Sequence, residues 1–142
     1  MQYYDVKKIL VPIDGSQNSF RGLEKAIYFA RQCGATLTGL YVSQKPSRYG
    51  FDNIEDLDSS KRKQIDMLLE KAKNTAAKNG VDLNSKIIHG SAKKDILDFA
   101  NRWNYELIVI GSKGAGSSEE SFIGSVANHI LHTSKIPVLV VK

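Results

Sequence analysis

The sequence predicts an α/β fold: an open, Rossmann-like parallel sheet of five strands with helices on both faces, in one domain spanning residues 1–142. Three observations carry this. Apolar residues stand at consecutive positions in ILVPI from Ile9, LIVI from Leu107 and VLVV from Val138, as in strands covered on both faces. Between these runs the spacing changes to the i, i+3, i+4, i+7 recurrence of amphipathic helices. Strand and helix alternate along the chain, and crossovers of that kind wrap helices around a parallel sheet.

The first strand runs through ILVPI into Asp14-Gly15-Ser16. The helix after it buries Leu23, Ala26, Ile27 and Ala30, with Ser16 or Ser19 as its cap and Gly34 as its stop. ATLTGLYV from Ala35 is rich in β-branched and aromatic residues and reads as the second strand. Residues 43–60 hold proline, glycine and polar residues without periodicity and read as a long mobile connection beside the site. Ile65, Leu68, Leu69, Ala72 and Ala76 form the stripe of the second helix, which Gly80 ends. DLNSKII from Asp82 is a more polar strand, hence nearer an edge. A third helix, capped by Ser91, carries Ile96, Leu97, Ala100 and Trp103. LIVI follows as the fourth strand, then a shorter helix with Ala127, Ile130, Leu131 and Ser134, then VLVV.

Hydrophobic residues make up 42% and charged residues 25%, an ordinary globular composition that excludes a disordered or fibrous chain. No leader-like start and no bilayer-length apolar run is read, so no membrane association and a cytoplasmic location are expected. A net charge of +5 favours anionic ligands, but the basic residues are scattered. The one tight cluster, Lys61, Arg62 and Lys63, opens the second helix and reads as a solvated face; without interleaved aromatics it argues against nucleic acid. Cys33, the single cysteine, reads as a small core or boundary residue without redox chemistry. Trp103 and the tyrosines are dispersed and read as packing residues.

The chemistry lies in GSKGAGSSEESFIGS, between the fourth strand and the last helix. It contains no GxxxxGK[ST], and no GxGxxG follows the first strand, which excludes the P-loop and the usual dinucleotide fingerprint. What stands there is Gly111-x2-Gly114-x9-Gly124-Ser125. At the helix start, the N–H groups of Gly124, Ser125 and Val126 are candidate phosphate donors, and Ser125 adds a hydroxyl. Gly111 and Gly114 would let backbone fold over a ribose and its phosphates, with Lys113 as a mobile counter-charge. Asp14, which also suits a simple Asp-Gly turn, would accept from ribose hydroxyls or an adenine amine. Glu119 and Glu120 read as pointing outward, because carboxylates facing a polyphosphate would repel it. His129 and His132 read as surface histidines, with no third ligand to make a metal site.

With VPIDGS near the start and PVLVV at the end, this spaced glycine motif resembles the universal stress protein family, and the ATP-binding subgroup within it, over nearly the whole chain. The resemblance implies the strand order 3-2-1-4-5 and a nucleotide site built from Pro12, Ile13 and Asp14 at the nucleoside and the backbone of Val42 at the adenine. Gly111, Ser112, Lys113, Gly114, Ala115, Gly116 and Ser117 would form the ribose and phosphate loop, with Gly124, Ser125, Val126 and Ala127 as the phosphate cradle. Lys113 stands where histidine or arginine is frequent, Ala127 where a hydroxyl is common, and SSEES where basic residues are frequent. The implied ligand is ATP or AMP, with Mg2+ held mainly by the phosphates.

The resemblance also places the last strand at a sheet edge. An apolar edge invites pairing, so a homodimer through Val138 to Val141 is expected. The reading is a cytoplasmic stress-response regulator, a nucleotide-dependent dimeric switch with an unidentified downstream protein partner and at most slow ATP hydrolysis. The rivals are an enzyme of the related adenine-nucleotide group, a weak ATP hydrolase or nucleotidyl transferase, and a nucleotide-free dimeric scaffold. VPIDGS fits neither SGGxDS-like nor HIGH-like motifs, which disfavours the enzyme.

Overall fold

The computed structural model describes residues 5–44, 59–113 and 123–142. The elements run β1 (Lys8–Pro12), α1 (Gln17–Cys33), β2 (Thr36–Ser43), α2 (Ser59–Lys78), β3 (Leu83–His89), α3 (Ala92–Arg102), β4 (Leu107–Gly111), α4 (Ser125–Thr133) and β5 (Val138–Val141). All neighbouring strands pair in parallel, in the order β3-β2-β1-β4-β5. This is the expected fold and the expected order. The polar strand and the C-terminal strand are the two edges.

Two separate cores explain the unbroken apolar runs of β1 from Ile9 and of β4 from Leu107. On one face Ile9, Val11, Leu37 and Val109 pack with Leu23, Ala26 and Ile27 of α1 and Ala72 and Ala76 of α2. On the other, Leu10, Leu40, Ile108 and Ile110 pack with Ile96, Leu97 and Ala100 of α3 and Ala127 and Ile130 of α4. Successive side chains of a strand point to opposite faces, so Ile9, Leu10 and Val11 are all fully buried. Each such aliphatic side chain contributes about 1.5–3 kcal/mol by leaving water. The edge strand β3 alternates instead: Leu83 is buried while Asn84 and Lys86 are exposed.

Local signals set the helix ends. Ser16 is the cap of α1, its hydroxyl accepting from the Ser19 N–H at 3.1 Å, and Gly34 closes the helix in the left-handed region at φ 65°. Ser91 precedes α3 without a side-chain cap; instead the Asp95 carboxylate accepts from the Ser91 N–H at 2.7 Å.

Three side chains sit differently from expectation. Trp103 is half-exposed because α3 has ended before it, and it rests beside Phe99 and Arg102 at the helix terminus. Leu131 is exposed, since the nine-residue α4 buries only the narrow stripe through Ala127 and Ile130. Cys33 is exposed too, at the last position of α1 beyond that helix's buried face.

The strand order reverses about the centre of the sheet: from β1 the connections lead outward through β2 to β3, and from β4 outward to β5. In such sheets the crevice beyond the carboxyl ends of the strands, at that switch point, is where ligands bind.

Candidate functional site

Asp14 follows β1 directly and begins the turn into α1. Its carboxylate accepts from the Ser16 N–H at 2.9 Å, while Gly15 takes φ 91°, a conformation most side chains avoid. The Ser19 hydroxyl donates to the Ser16 carbonyl at 2.9 Å and accepts from the Asp14 N–H at 3.4 Å. The turn reading of Asp14 is therefore correct as far as it goes. The turn also leaves Asp14 exposed on the wall of a cleft.

That cleft has a volume of about 590 Å3, within the range of small-molecule and cofactor sites. The ends of β1, β2 and β4 and the starts of α3 and α4 line it. Of the residues singled out in the sequence, it brings together Pro12, Ile13, Asp14, Val42, Gly111, Lys113, Gly124, Ser125, Val126 and Ala127. Gly114, Ala115, Gly116, Ser117, Glu119 and Glu120 lie outside the described residues, as does most of the connection expected at residues 43–60.

Val42 owes its position to strand parity. The Thr36 N–H donates to Lys7, and the Leu40 carbonyl accepts from the Ile13 N–H, so even-numbered residues of β2 turn their backbone groups toward β1. By the same alternation the Ser43 carbonyl turns the other way and accepts from the Gly90 N–H beyond β3. Pairing with β1 ends at Pro12, opposite Leu40. The next backbone groups on that side, those of Val42, thus face the cleft.

At the other wall, the first hydrogen bond of α4 runs from the Asn128 N–H to the Gly124 carbonyl. The amides of Ser125, Val126 and Ala127 precede that ladder and form the electropositive end of the helix. Gly124 departs from the expected donor set: its own N–H donates to the Ser112 carbonyl at 2.5 Å. Its φ of −69° is open to any residue, so only space, not backbone conformation, can demand glycine there.

Ser112 does not reach the cleft. It is buried, donating its N–H to the Val141 carbonyl at 2.7 Å and its hydroxyl to the Asn18 side-chain oxygen at 3.3 Å. Gly111 does line the cleft, but its glycine has a packing cause: a Cβ there would lie 2.6 Å from the Asn18 carbonyl oxygen of α1.

Other lining residues were not singled out as site residues in the sequence. Ser19, Tyr41, Ser43 and Gln44 contribute polar groups, and Leu40, Ile96 and Ile110 an apolar floor. Lys61 is exposed, as its reading as part of a solvated face expects, and it also lines the cleft. Its signal was present in the spacing, four residues before Ile65 in the buried stripe of α2. Asn18 carried no local signal at all. Among the described residues there is no cluster of three or more His, Cys, Asp or Glu side chains placed to hold a metal, and no helix long and apolar enough to cross a membrane.

A model described as the universal stress protein family matches residues 5–142. The chain is 30% identical over 149 residues to Universal stress protein YxiE of Bacillus subtilis, a match covering 95% of this chain and 98% of that protein. Universal stress protein UspA from Lactobacillus plantarum is similar in structure, with a TM-score of 0.79 at 23% identity, covering 99% of this chain and 100% of that one. The universal stress protein from Archaeoglobus fulgidus, solved in complex with dAMP, has a TM-score of 0.72 at 20% identity over 98% of both chains. At these identities the structural likeness speaks for the fold.

Proposed function

The chain belongs to the universal stress protein family, and from that premise we propose that it binds an adenine nucleotide, ATP or AMP, in the cleft at the carboxyl ends of β1, β2 and β4. One observation supports this above the others. Asp14, the cleft-facing backbone of Val42 and the N-terminal turn of α4 line a single cavity, and they suit, in that order, ribose hydroxyls, an adenine edge and a phosphate. A carboxylate accepts from hydroxyls, a strand amide and carbonyl pair with a purine edge, and a helix N-terminus attracts an anion. That a protein of the same fold was solved with dAMP supports the same choice of ligand class.

Mg2+ would arrive with ATP, held mainly through its phosphates. The activity proposed is binding, with turnover at most slow, and occupancy would change a surface beside the cleft that partners read. The exposed backbone of β5 would pair with a second copy, giving a cytoplasmic homodimer.

Mass spectrometry of freshly purified protein after denaturation, followed by calorimetric titration with ATP and AMP, tests the reading. A co-purifying adenine nucleotide and a saturable isotherm with one ligand per chain are expected. Heat-silent titrations with both nucleotides from ligand-free protein would exclude it.

A further inference from the structure

Lys61 stands where a helix ordinarily disfavours a cation. Ser59, Ser60, Lys61, Arg62 and Lys63 open α2 with no acidic residue in the first turn, at the positive end of the peptide dipoles. Arg62 offsets this by bridging to Asp66 at 3.1 Å, one helical turn on. Lys61 has no carboxylate partner among the described residues. It lines the cleft instead, together with Asp14 and Lys113.

Its direction follows from the helix. Ile65, Leu69, Ala72 and Ala76 are the buried stripe of α2, and Lys61, four residues before Ile65, continues that stripe. Leu68 packs beside the Asp14-Gly15 turn, its nearer methyl 3.5 Å from where a Gly15 Cβ would lie. Lys61 is seven residues earlier, about 10 Å further along the same helix face. The helix thus carries Lys61 past the sheet and over the cleft. It arrives with the α1 and α2 face of the sheet, whereas the α4 amides arrive with the opposite face.

We propose that Lys61 is a specificity-determining residue that grips the outer phosphates of a nucleoside polyphosphate, so that the cleft prefers the triphosphate to the monophosphate. The proposal rests on the adenine-nucleotide reading above. Asp14, Val42 and the α4 amides recognise what the two ligands share. An ammonium on a flexible four-carbon stem responds to charge more than to shape, and the charge that distinguishes the ligands lies in the added phosphates. With Lys113 it brings two cations against the single carboxylate among the described residues lining the cleft.

Calorimetric titration of AMP and ATP into the wild type, Lys61→Gln and Lys63→Gln, at low and moderate salt, tests this. Lys63 is exposed and does not line the cleft, so it controls for net charge. Lys61→Gln is expected to weaken ATP about fivefold, to leave AMP within about twofold, and to flatten the salt dependence of ATP binding. Lys63→Gln should match the wild type. Equal loss for AMP and ATP in Lys61→Gln, no loss for either, or the same loss in Lys63→Gln overturns the assignment of Lys61 while leaving the nucleotide site standing. A wild type that binds neither ligand overturns the nucleotide reading itself and this inference with it.

Discussion

The side-chain oxygen of Asn18, in the first turn of α1, accepts a hydrogen bond from the Lys113 backbone N–H at 2.5 Å. The same oxygen accepts from the Ser112 hydroxyl, and the Asn18 amide donates to the Val141 carbonyl at 3.4 Å. One asparagine therefore ties the end of β4, the end of β5 and the entry to the glycine-rich segment onto α1. Asn18→Ala removes an acceptor from two partly buried donors and is expected to lower stability by about 1–3 kcal/mol. Chemical denaturation measures the loss; a midpoint and slope matching the wild type would show that the contact carries no stability.

Gly111, the first glycine of the spaced motif, has a packing reason to be glycine. A Cβ at Gly111 would meet the Asn18 backbone at 2.6 Å and 2.8 Å, so one element must move. Gly111→Ala should cost about 1–3 kcal/mol through overpacking, with or without ligand. A variant that melts with the wild type and loses only nucleotide would show that close ligand approach, not helix packing, sets this residue.

Asp14 holds a turn and, in the proposed function, a ribose, and substitution separates the two. Asn at this position keeps an oxygen able to accept from the Ser16 N–H, whereas Ala does not. Asp14→Asn is expected to melt like the wild type and to bind adenine nucleotide about tenfold more weakly, having lost a charged acceptor for ribose. Asp14→Ala should show the binding loss together with a stability loss of about 0.5–1.5 kcal/mol. Undiminished affinity in Asp14→Asn would leave the residue with its turn role alone.

The β5 edge gives a test of assembly. The Pro137 and Val141 carbonyls accept from Ile108 and Ser112, so Val138 and Val140 turn their N–H and C=O groups away from β4, toward the open edge. Val140→Pro deletes an outward N–H without breaking the β4 ladder. Light scattering should report a dimer for the wild type and a monomer for the variant, with similar circular dichroism. A wild type that is monomeric at micromolar concentration, or a dimeric Val140→Pro, contradicts pairing at this edge.

The fold was legible because burial on two faces leaves an unambiguous mark. Ile9, Leu10 and Val11 can be consecutively apolar only if both sides of the strand are covered. Val42 came from family resemblance alone, and its physical reason appears only once strand pairing shows where β1 stops. Lys61 was half visible: it continues the stripe of α2, but only the packed fold shows that this end of the helix reaches the cleft. Asn18 was invisible, because its partners lie 94, 95 and 123 residues away in sequence. The Gly124 amide was misassigned for a similar reason, since its acceptor, Ser112, sits twelve positions back across the glycine-rich segment.

The proposed site depends on the amides at the start of α4 capturing the anionic end of an adenine nucleotide. Amide resonances of Ser125, Val126 and Ala127, followed by 15N-correlated NMR during titration with ATP, test it most directly. Saturable shifts of all three, among the largest in the spectrum, are expected. Saturation of the protein with ATP while these three resonances stay in place would contradict it.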